Sequence, residues 1–255
     1  MAQVILLGTG AALSDETREH TYIVVQGAKS SILIDCGGSP VQRLAKAGVE
    51  LDSIDHIVLT HHHPDHMYGL TILLLDLWLA GREKVLCVYG LAETLRAVRA
   101  ILRAYEWERW FEHGFFPVLF HRIPKRQRGA LFTTPDLAAF TTTTRHLLPT
   151  VAVRVFSSET GKSIVYSSDT EKYDSVVEIA RGADILFHEA TTLSKPTLGH
   201  SSARQAGEQA QRAGVKKLVL VHLPPHADVN AFRAAAAKRF AGRVVVGKDF
   251  ARFAF

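Results

Sequence analysis

The sequence predicts an α/β fold of four layers, two sheets with their flanking helices, built as one domain over residues 1–255. Three observations carry that expectation. The first sixty residues read as a β-meander, the last third alternates helix with strand, and no repeat, low-complexity tract or Pro/Ser/Gly linker divides the chain. At 255 residues, 47% of them hydrophobic, the chain can bury a sizeable core.

In the meander, residues 4–7, 22–25 and 31–34 are apolar runs bounded by glycine or polar turns. Ser39 then stands as an N-cap with Pro40 at the first helical position, and the helix ends near Gly48. A strand over 56–60 leads into a histidine-rich segment. A helix over 66–79, a strand over 85–89 and an amphipathic helix over 91–105 follow. Residues 106–113 carry Trp107, Trp110 and Phe111, expected as a helical cap or a substrate-pocket wall, with core packing the favoured role of the aromatics. Strands return between 116 and 166, among them 138–144, 151–156 and 163–166. Helices over 173–180, 202–213 and 229–239 then alternate with strands over 185–187, 218–221 and 244–246.

Several function classes are set aside by composition. No stretch approaches the ~18 uninterrupted apolar residues of a membrane span; the longest, residues 70–80, is broken by Asp76. The start lacks a basic region and a cleavage site, so it reads as a first strand rather than a signal peptide. Cys36 and Cys87 each lie among apolar residues and are expected as buried thiols rather than a disulfide or zinc ligands, which favours a cytoplasmic location. The net charge of +5 is compatible with a polyanionic substrate. Two basic clusters stand out: Arg96, Arg99 and Arg103 on one helix face, and the loop Lys125, Arg126, Gln127, Arg128. Solvated surface is the favoured reading of each.

The chemistry is concentrated in His61-His62-His63-Pro64-Asp65-His66, directly after the apolar run Ile57-Val58-Leu59-Thr60. Imidazole and carboxylate donors at a strand end, followed by a proline turn, form a metal-site pattern. His61 and His63 would point the same way, and Asp65 and His66 would open the next helix toward a second ion. Three further donors end predicted strands: His146, Asp169 and His222. A strand end is held by rigid backbone yet faces an open edge, which suits a reactive centre. Together these make seven ligands, enough for two ions sharing one carboxylate.

Thr60-His61-His62-His63-Pro64-Asp65-His66, with Gly69 and Leu70 behind it, resembles the ligand motif of the metallo-β-lactamase-fold hydrolases. Asp35, in Leu33-Ile34-Asp35-Cys36-Gly37, matches that superfamily's supporting aspartate. The resemblance runs from Leu6-Leu7-Gly8-Thr9-Gly10 to Val246-Gly247-Lys248-Asp249, with Gly8 and Gly10 expected at a tight turn. It implies the αββα sandwich and two divalent ions, zinc foremost, with manganese or iron also accepted by such donors. By the same resemblance His61, His63 and His146 would hold one ion, Asp65, His66 and His222 the other, and Asp169 would bridge. His62 should face away.

Leu186-Phe187-His188-Glu189-Ala190-Thr191 and Leu198-Gly199-His200-Ser201-Ser202-Ala203 resemble two motifs of the RNase Z branch, the tRNA 3′-end endonucleases and their phosphodiesterase relatives. Glu189 and His200 would then pair to protonate the departing oxygen, a carboxylate raising the pKa of its neighbouring imidazole. Two cations would lower the pKa of a bridging water toward neutrality and neutralise phosphoryl charge, with Asp65 orienting the attacking hydroxide. Ser201 or Ser202 also fits a helix cap.

Members of that branch that process tRNA carry a protruding Gly/Pro-rich arm between the strand-end His and the bridging Asp. Here His146 and Asp169 are separated by residues that a β-hairpin uses fully. The expected substrate is therefore a small phosphodiester or nucleotide-like molecule. Transfer-RNA processing is the alternative, as is lactone, thioester or aryl-sulfate hydrolysis at the same metals. RNA stays open through the basic clusters, and a homodimer through the dimers common among such relatives.

Overall fold

The computed structural model describes residues 2–125 and 129–255. Two seven-stranded sheets face each other. The first is built from β1 (Gln3–Gly8), β2 (Tyr22–Gln26), β3 (Ser31–Ile34), β4 (Ile54–Val58), β5 (Leu86–Gly90) and β6 (Val118–Arg122), joined at the edge by β14 (Arg252–Ala254) in the order β14-β1-β2-β3-β4-β5-β6. The second holds β7 (Gly129–Thr133), β8 (Leu137–Thr143), β9 (Val151–Ser157), β10 (Ser163–Tyr166), β11 (Ile185–Glu189), β12 (Lys217–Val221) and β13 (Arg243–Val246), with spatial order running from β13 back to β7.

Alternation along the strands sets the layers. Val4 and Leu6 of β1 join Ile23, Ile34 and Val58 against Val153, Tyr166, Phe187 and Val219 of the facing sheet. Ile5 and Leu7 turn the other way, toward helices α1 (Pro40–Lys46), α3 (Leu70–Leu79) and α4 (Ala92–Ala104), where Leu44, Leu73 and Val98 pack. On the far side, Val165, Leu186 and Leu220 meet α5 (Asp174–Ala180), α6 (Ala203–Ala213) and α7 (Val229–Ala237) through Val177, Ala206 and Phe232. Central strands buried on both faces read as continuous apolar runs, as Leu218-Val219-Leu220-Val221 does. The result is the four-layer αββα sandwich that the sequence predicts.

Strand direction places the site. β3, β4, β5 and β6 run parallel, as do β10 to β13, and β8 runs the same way as β10 because each is antiparallel to β9. The carboxyl ends of β3, β4, β8, β10, β11 and β12 carry or precede every candidate ligand, which is where open α/β sheets leave a crevice.

Some local expectations are corrected. The helix expected over 66–79 is two: α2 (Pro64–Met67) and α3, broken at Tyr68 and Gly69. Gly69 docks against the turn after β3, its N–H on the Cys36 carbonyl at 2.9 Å, and a Cβ there would lie 2.9 Å from that oxygen. The strand expected over 56–60 is β4, two residues earlier. β14 escapes the sequence pattern because it is three residues long and its partner β1 lies at the opposite end of the chain. Gly8 is required by close approach rather than by a turn alone, since a Cβ would lie 1.8 Å from the His20 carbonyl oxygen.

Ser39 occupies the N-cap of α1 without a capping hydrogen bond. Ser202 caps α6 through a reciprocal capping box with Gln205. Cys36 is buried, but Cys87 is only half-buried, and both thiols are free. Trp107 and Trp110 pack on the first core from a 3₁₀ turn, Trp107–His113, while Phe111 stays exposed. Arg96, Arg99 and Arg103 lie exposed on α4, and Arg99 covers the Phe120 ring. Of the second basic cluster, Arg126, Gln127 and Arg128 fall outside the described residues, and Lys125 pairs with Glu93. Among the described residues no helix is long and apolar enough to cross a membrane.

Candidate metal centre

The turn after β4 does what its composition suggests. Pro64 starts α2 directly behind His63, so His61 and His63 leave the strand end side by side while Asp65 and His66 rise from the first helical turn. His61 Nε2 lies 3.0 Å from His63 Nδ1, which is itself 3.1 Å from His146 Nε2. Asp169 Oδ2 completes that group, 3.8 Å from His61 Nε2 and 3.7 Å from His146 Nε2. A second group faces its other oxygen. Asp169 Oδ1 is 3.4 Å from both His66 Nε2 and His222 Nε2, and Asp65 Oδ2 lies 3.4 and 3.7 Å from the same two nitrogens. All seven sequence candidates thus converge, in two groups that Asp169 joins, and Asp169 and His222 form a further overlapping group with His200.

These separations suit a metal. With metal–donor bonds of about 2.1 Å, the edge of a tetrahedral site is about 3.4 Å. His66 Nε2, His222 Nε2 and Asp169 Oδ1 are buried and have no hydrogen-bond partner, a costly state that a cation between them would relieve. Burial, aided by neighbouring imidazoles, holds His61 well below its ordinary pKa, and burial likewise depresses His63 and His146. Neutral imidazoles are the form that donates to a metal, so His66, which burial would lower but Asp169 and Asp35 raise well above its ordinary pKa, would give up a proton on binding one. Burial would raise Asp65 and Asp169, but the imidazoles of His222 and His66 beside them prevail and keep both ionised.

Four of the five imidazoles, all but His63, are turned by a partner on the other nitrogen. His66 Nδ1–H donates to Asp35 Oδ2 at 2.8 Å, and His146 Nδ1–H to the Gly199 carbonyl at 2.7 Å. His61 Nδ1 lies 3.1 Å from Thr60 Oγ1, and His222 Nδ1 3.0 Å from Thr191 Oγ1. Such contacts fix the tautomer and leave the opposite nitrogen for the metal. Asp35, expected as the supporting aspartate, is fully buried and also accepts the Thr60 N–H at 2.8 Å and the Thr60 hydroxyl at 3.0 Å. Asp35, Ser168 and His222 all have positive φ without being glycine, strain gathered at the strand ends that carry the site.

Glu189 and His200 also meet. His200 Nδ1 is 3.1 Å from Glu189 Oε1 and 3.9 Å from Asp169 Oδ2. Burial opposes protonation of His200, yet the Glu189 hydrogen bond and charge prevail and raise its pKa. Glu189 is fully buried, held by the Thr170 N–H at 2.8 Å and the Thr191 hydroxyl at 2.9 Å. His62 joins neither donor group. Thr60, Ser168, Thr191 and Gly199 support the site but carry no signal that their types alone would reveal. Thr60 and Thr191 could have been suspected only from their places beside His61 and after Glu189.

Paired donor groups at the carboxyl edge of an αββα sandwich define a metal-dependent hydrolase of the metallo-β-lactamase fold. Comparison narrows the class. The chain belongs to the RNase Z-like branch of that fold: the family model described as anti-Pycsar protein Apyc1 matches residues 2–246, and a ribonuclease Z of Mycobacterium bovis is 31% identical over 99% of this chain and 98% of its own. That alignment spans 281 positions, longer than this chain, so the relative carries stretches with no counterpart here. Two solved structures share the fold. The metallo-β-lactamase-fold protein YhfI from Bacillus subtilis superposes with a TM-score of 0.82 at 21% identity, covering 99% of this chain and 98% of its own. Human tRNase Z, short form, gives 0.77 at 24% identity with the same coverages.

Proposed function

We propose that the chain is a phosphodiesterase acting on a small phosphodiester, such as a cyclic nucleotide or an oligonucleotide end. His61, His63 and His146 would hold one ion, Asp65, His66 and His222 the other, with Asp169 shared and zinc the first choice for nitrogen-rich donors. When bound, the two ions would supply a hydroxide nucleophile near neutral pH and neutralise charge on the phosphoryl oxygens. Asp65, in the first turn of α2, would orient the attacking group.

The observation that carries the phosphodiester reading is the His200–Glu189 pair. His200 is partly exposed, beside the donor cluster, and its imidazole is charged more readily than an isolated one through Glu189. Its remaining nitrogen is free to give a proton to a departing alkoxide, a service that activated aryl esters do not need. A small substrate fits residues 147–168, which hold β9 and β10 as a short antiparallel hairpin. Without a protruding arm, affinity for a whole tRNA would rest on surface charge, which is salt-sensitive and unspecific. The second reading, tRNA 3′ processing, is supported by the curated relatives named ribonuclease Z.

The test is an activity panel on zinc-loaded protein: bis-p-nitrophenyl phosphate, 2′,3′- and 3′,5′-cyclic nucleotides, a pre-tRNA, a lactone and an aryl sulfate. Turnover of a cyclic nucleotide or another small diester above pre-tRNA supports the reading. Turnover of lactone or sulfate with no phosphodiester cleaved would overturn it.

A further inference from the structure

We propose that Glu171 is a positioning residue that ties the His146 imidazole and the His200–Glu189 pair into one unit; the inference rests on the roles given to those residues above. The three residues from Asp169 to Glu171 each hold a different part of the site. Asp169 presents its carboxylate to both donor groups while its carbonyl accepts the Thr144 hydroxyl at 2.9 Å. Thr170 donates its N–H to Glu189 Oε1 at 2.8 Å, and its carbonyl accepts the Ser201 hydroxyl at 2.7 Å. Glu171 donates its N–H to the Arg145 carbonyl at 2.7 Å.

The Glu171 side chain then reaches across the mouth of the site. Its Oε1 accepts the Gly199 N–H at 3.1 Å, and its Oε2 meets Arg145 Nε at 3.0 Å. Gly199 is therefore held at both polar atoms, because its carbonyl accepts His146 Nδ1–H at 2.7 Å. Gly199 sits at φ +79°, and a Cβ there would lie 3.0 Å from His146 Nδ1 and 3.0 Å from Leu147 Cγ. Only glycine lets the main chain come this close to a ligand. Residues 193–198 before it are solvent-exposed, whereas Gly199 is buried and His200 follows immediately.

The consequence is mechanical. Without an acceptor at Glu171, the Gly199 N–H turns to water and its carbonyl moves off His146 Nδ1. His146 then loses the hydrogen bond that fixes its tautomer, and His200 shifts against Glu189. Glu171 acts through Gly199 and touches no reacting atom.

The experiment reads zinc retention against a chromophoric chelator, without substrate, and then rates on phosphodiesters of differing leaving group. Glu171→Ala should retain zinc about 10–100-fold less tightly, and should lose more rate on alkoxide than on p-nitrophenyl leaving groups. Glu171→Gln keeps an acceptor for the Gly199 N–H and should restore most of both. Gly199→Ala breaks the same link from the other side and should reproduce the zinc loss if Glu171→Ala does not fold. Wild-type zinc retention in Glu171→Ala or Gly199→Ala, or a Glu171→Gln as impaired as Glu171→Ala, would overturn the proposal. A protein inactive on every phosphodiester would instead overturn the proposed function and leave the zinc measurement standing.

Discussion

The two sheets contribute to the proposed metal centre in opposite ways. The first sheet supplies four donors from one turn, residues 61–66 after β4, whose geometry is set locally by a strand end, Pro64 and the first turn of α2. The second sheet supplies three donors far apart in sequence, His146, Asp169 and His222, which meet because β8, β10 and β12 end at the same edge. Local chemistry builds the first half; topology builds the second. Thr60 joins them, accepting from Ser168 Oγ at 2.8 Å across the sheets while holding Asp35 and lying beside His61 Nδ1.

The largest effect should come from the residue that both donor groups share. Asp169→Ala should cost roughly a thousandfold in kcat/KM, about 4 kcal/mol of transition-state stabilisation, along with most bound metal. Elemental analysis and kinetics check this together; a variant that keeps metal and rate would dissolve the contrast between the halves. Asp65→Ala tests the local half in the same assay and should cost turnover on the same scale.

Next comes His200→Ala. Rates on alkyl phosphodiesters should fall about 100-fold or more, and on bis-p-nitrophenyl phosphate much less. Equal losses on both substrates would remove His200 from leaving-group chemistry and leave the second sheet with metal ligands alone.

Thr60→Val probes the joint. It keeps the shape and removes an oxygen shared by Asp35, His61 and Ser168, which should lower stability by about 1–3 kcal/mol and loosen metal binding. A thermal denaturation curve unchanged from wild type would mean that the two sheets meet without help from this hydroxyl.

The smaller effects lie outside the donor groups. His20 is raised above its ordinary pKa, chiefly by its hydrogen bond to Glu19. Its folded value exceeds the unfolded one, so its stabilising contribution is full below about pH 6.5 and fades as pH rises through the folded value. His20→Gln should therefore lower Tm more at about pH 5.5 than at about pH 8.5; the reverse order would contradict the assignment. His62→Ala should leave both metal content and rate near wild type, despite its place inside the hexapeptide.

The same contrast explains what the sequence could tell. The hexapeptide is legible because its spacing alone builds a donor cluster, and the strands over 31–34 and 163–166 coincide with β3 and β10 because their apolar runs are sharply bounded. His146, Asp169 and His222 are visible as strand-end donors, but their pairing into two groups came from a family resemblance. The gap at Gly69, the three-residue β14 and the reach of Glu171 to Gly199 depend on contacts between distant segments, which no local pattern encodes. Thr60 and Thr191 look like any other threonines until their hydroxyls are seen between a carboxylate and an imidazole.

The central claim is a two-ion centre shared between the sheets through Asp169. Its most direct test is the metal-to-protein ratio of the active wild-type enzyme, titrated from the metal-free form while phosphodiesterase activity is followed. Two ions per chain, with activity complete only on binding the second, is the predicted result. Full activity at one ion per chain would contradict it.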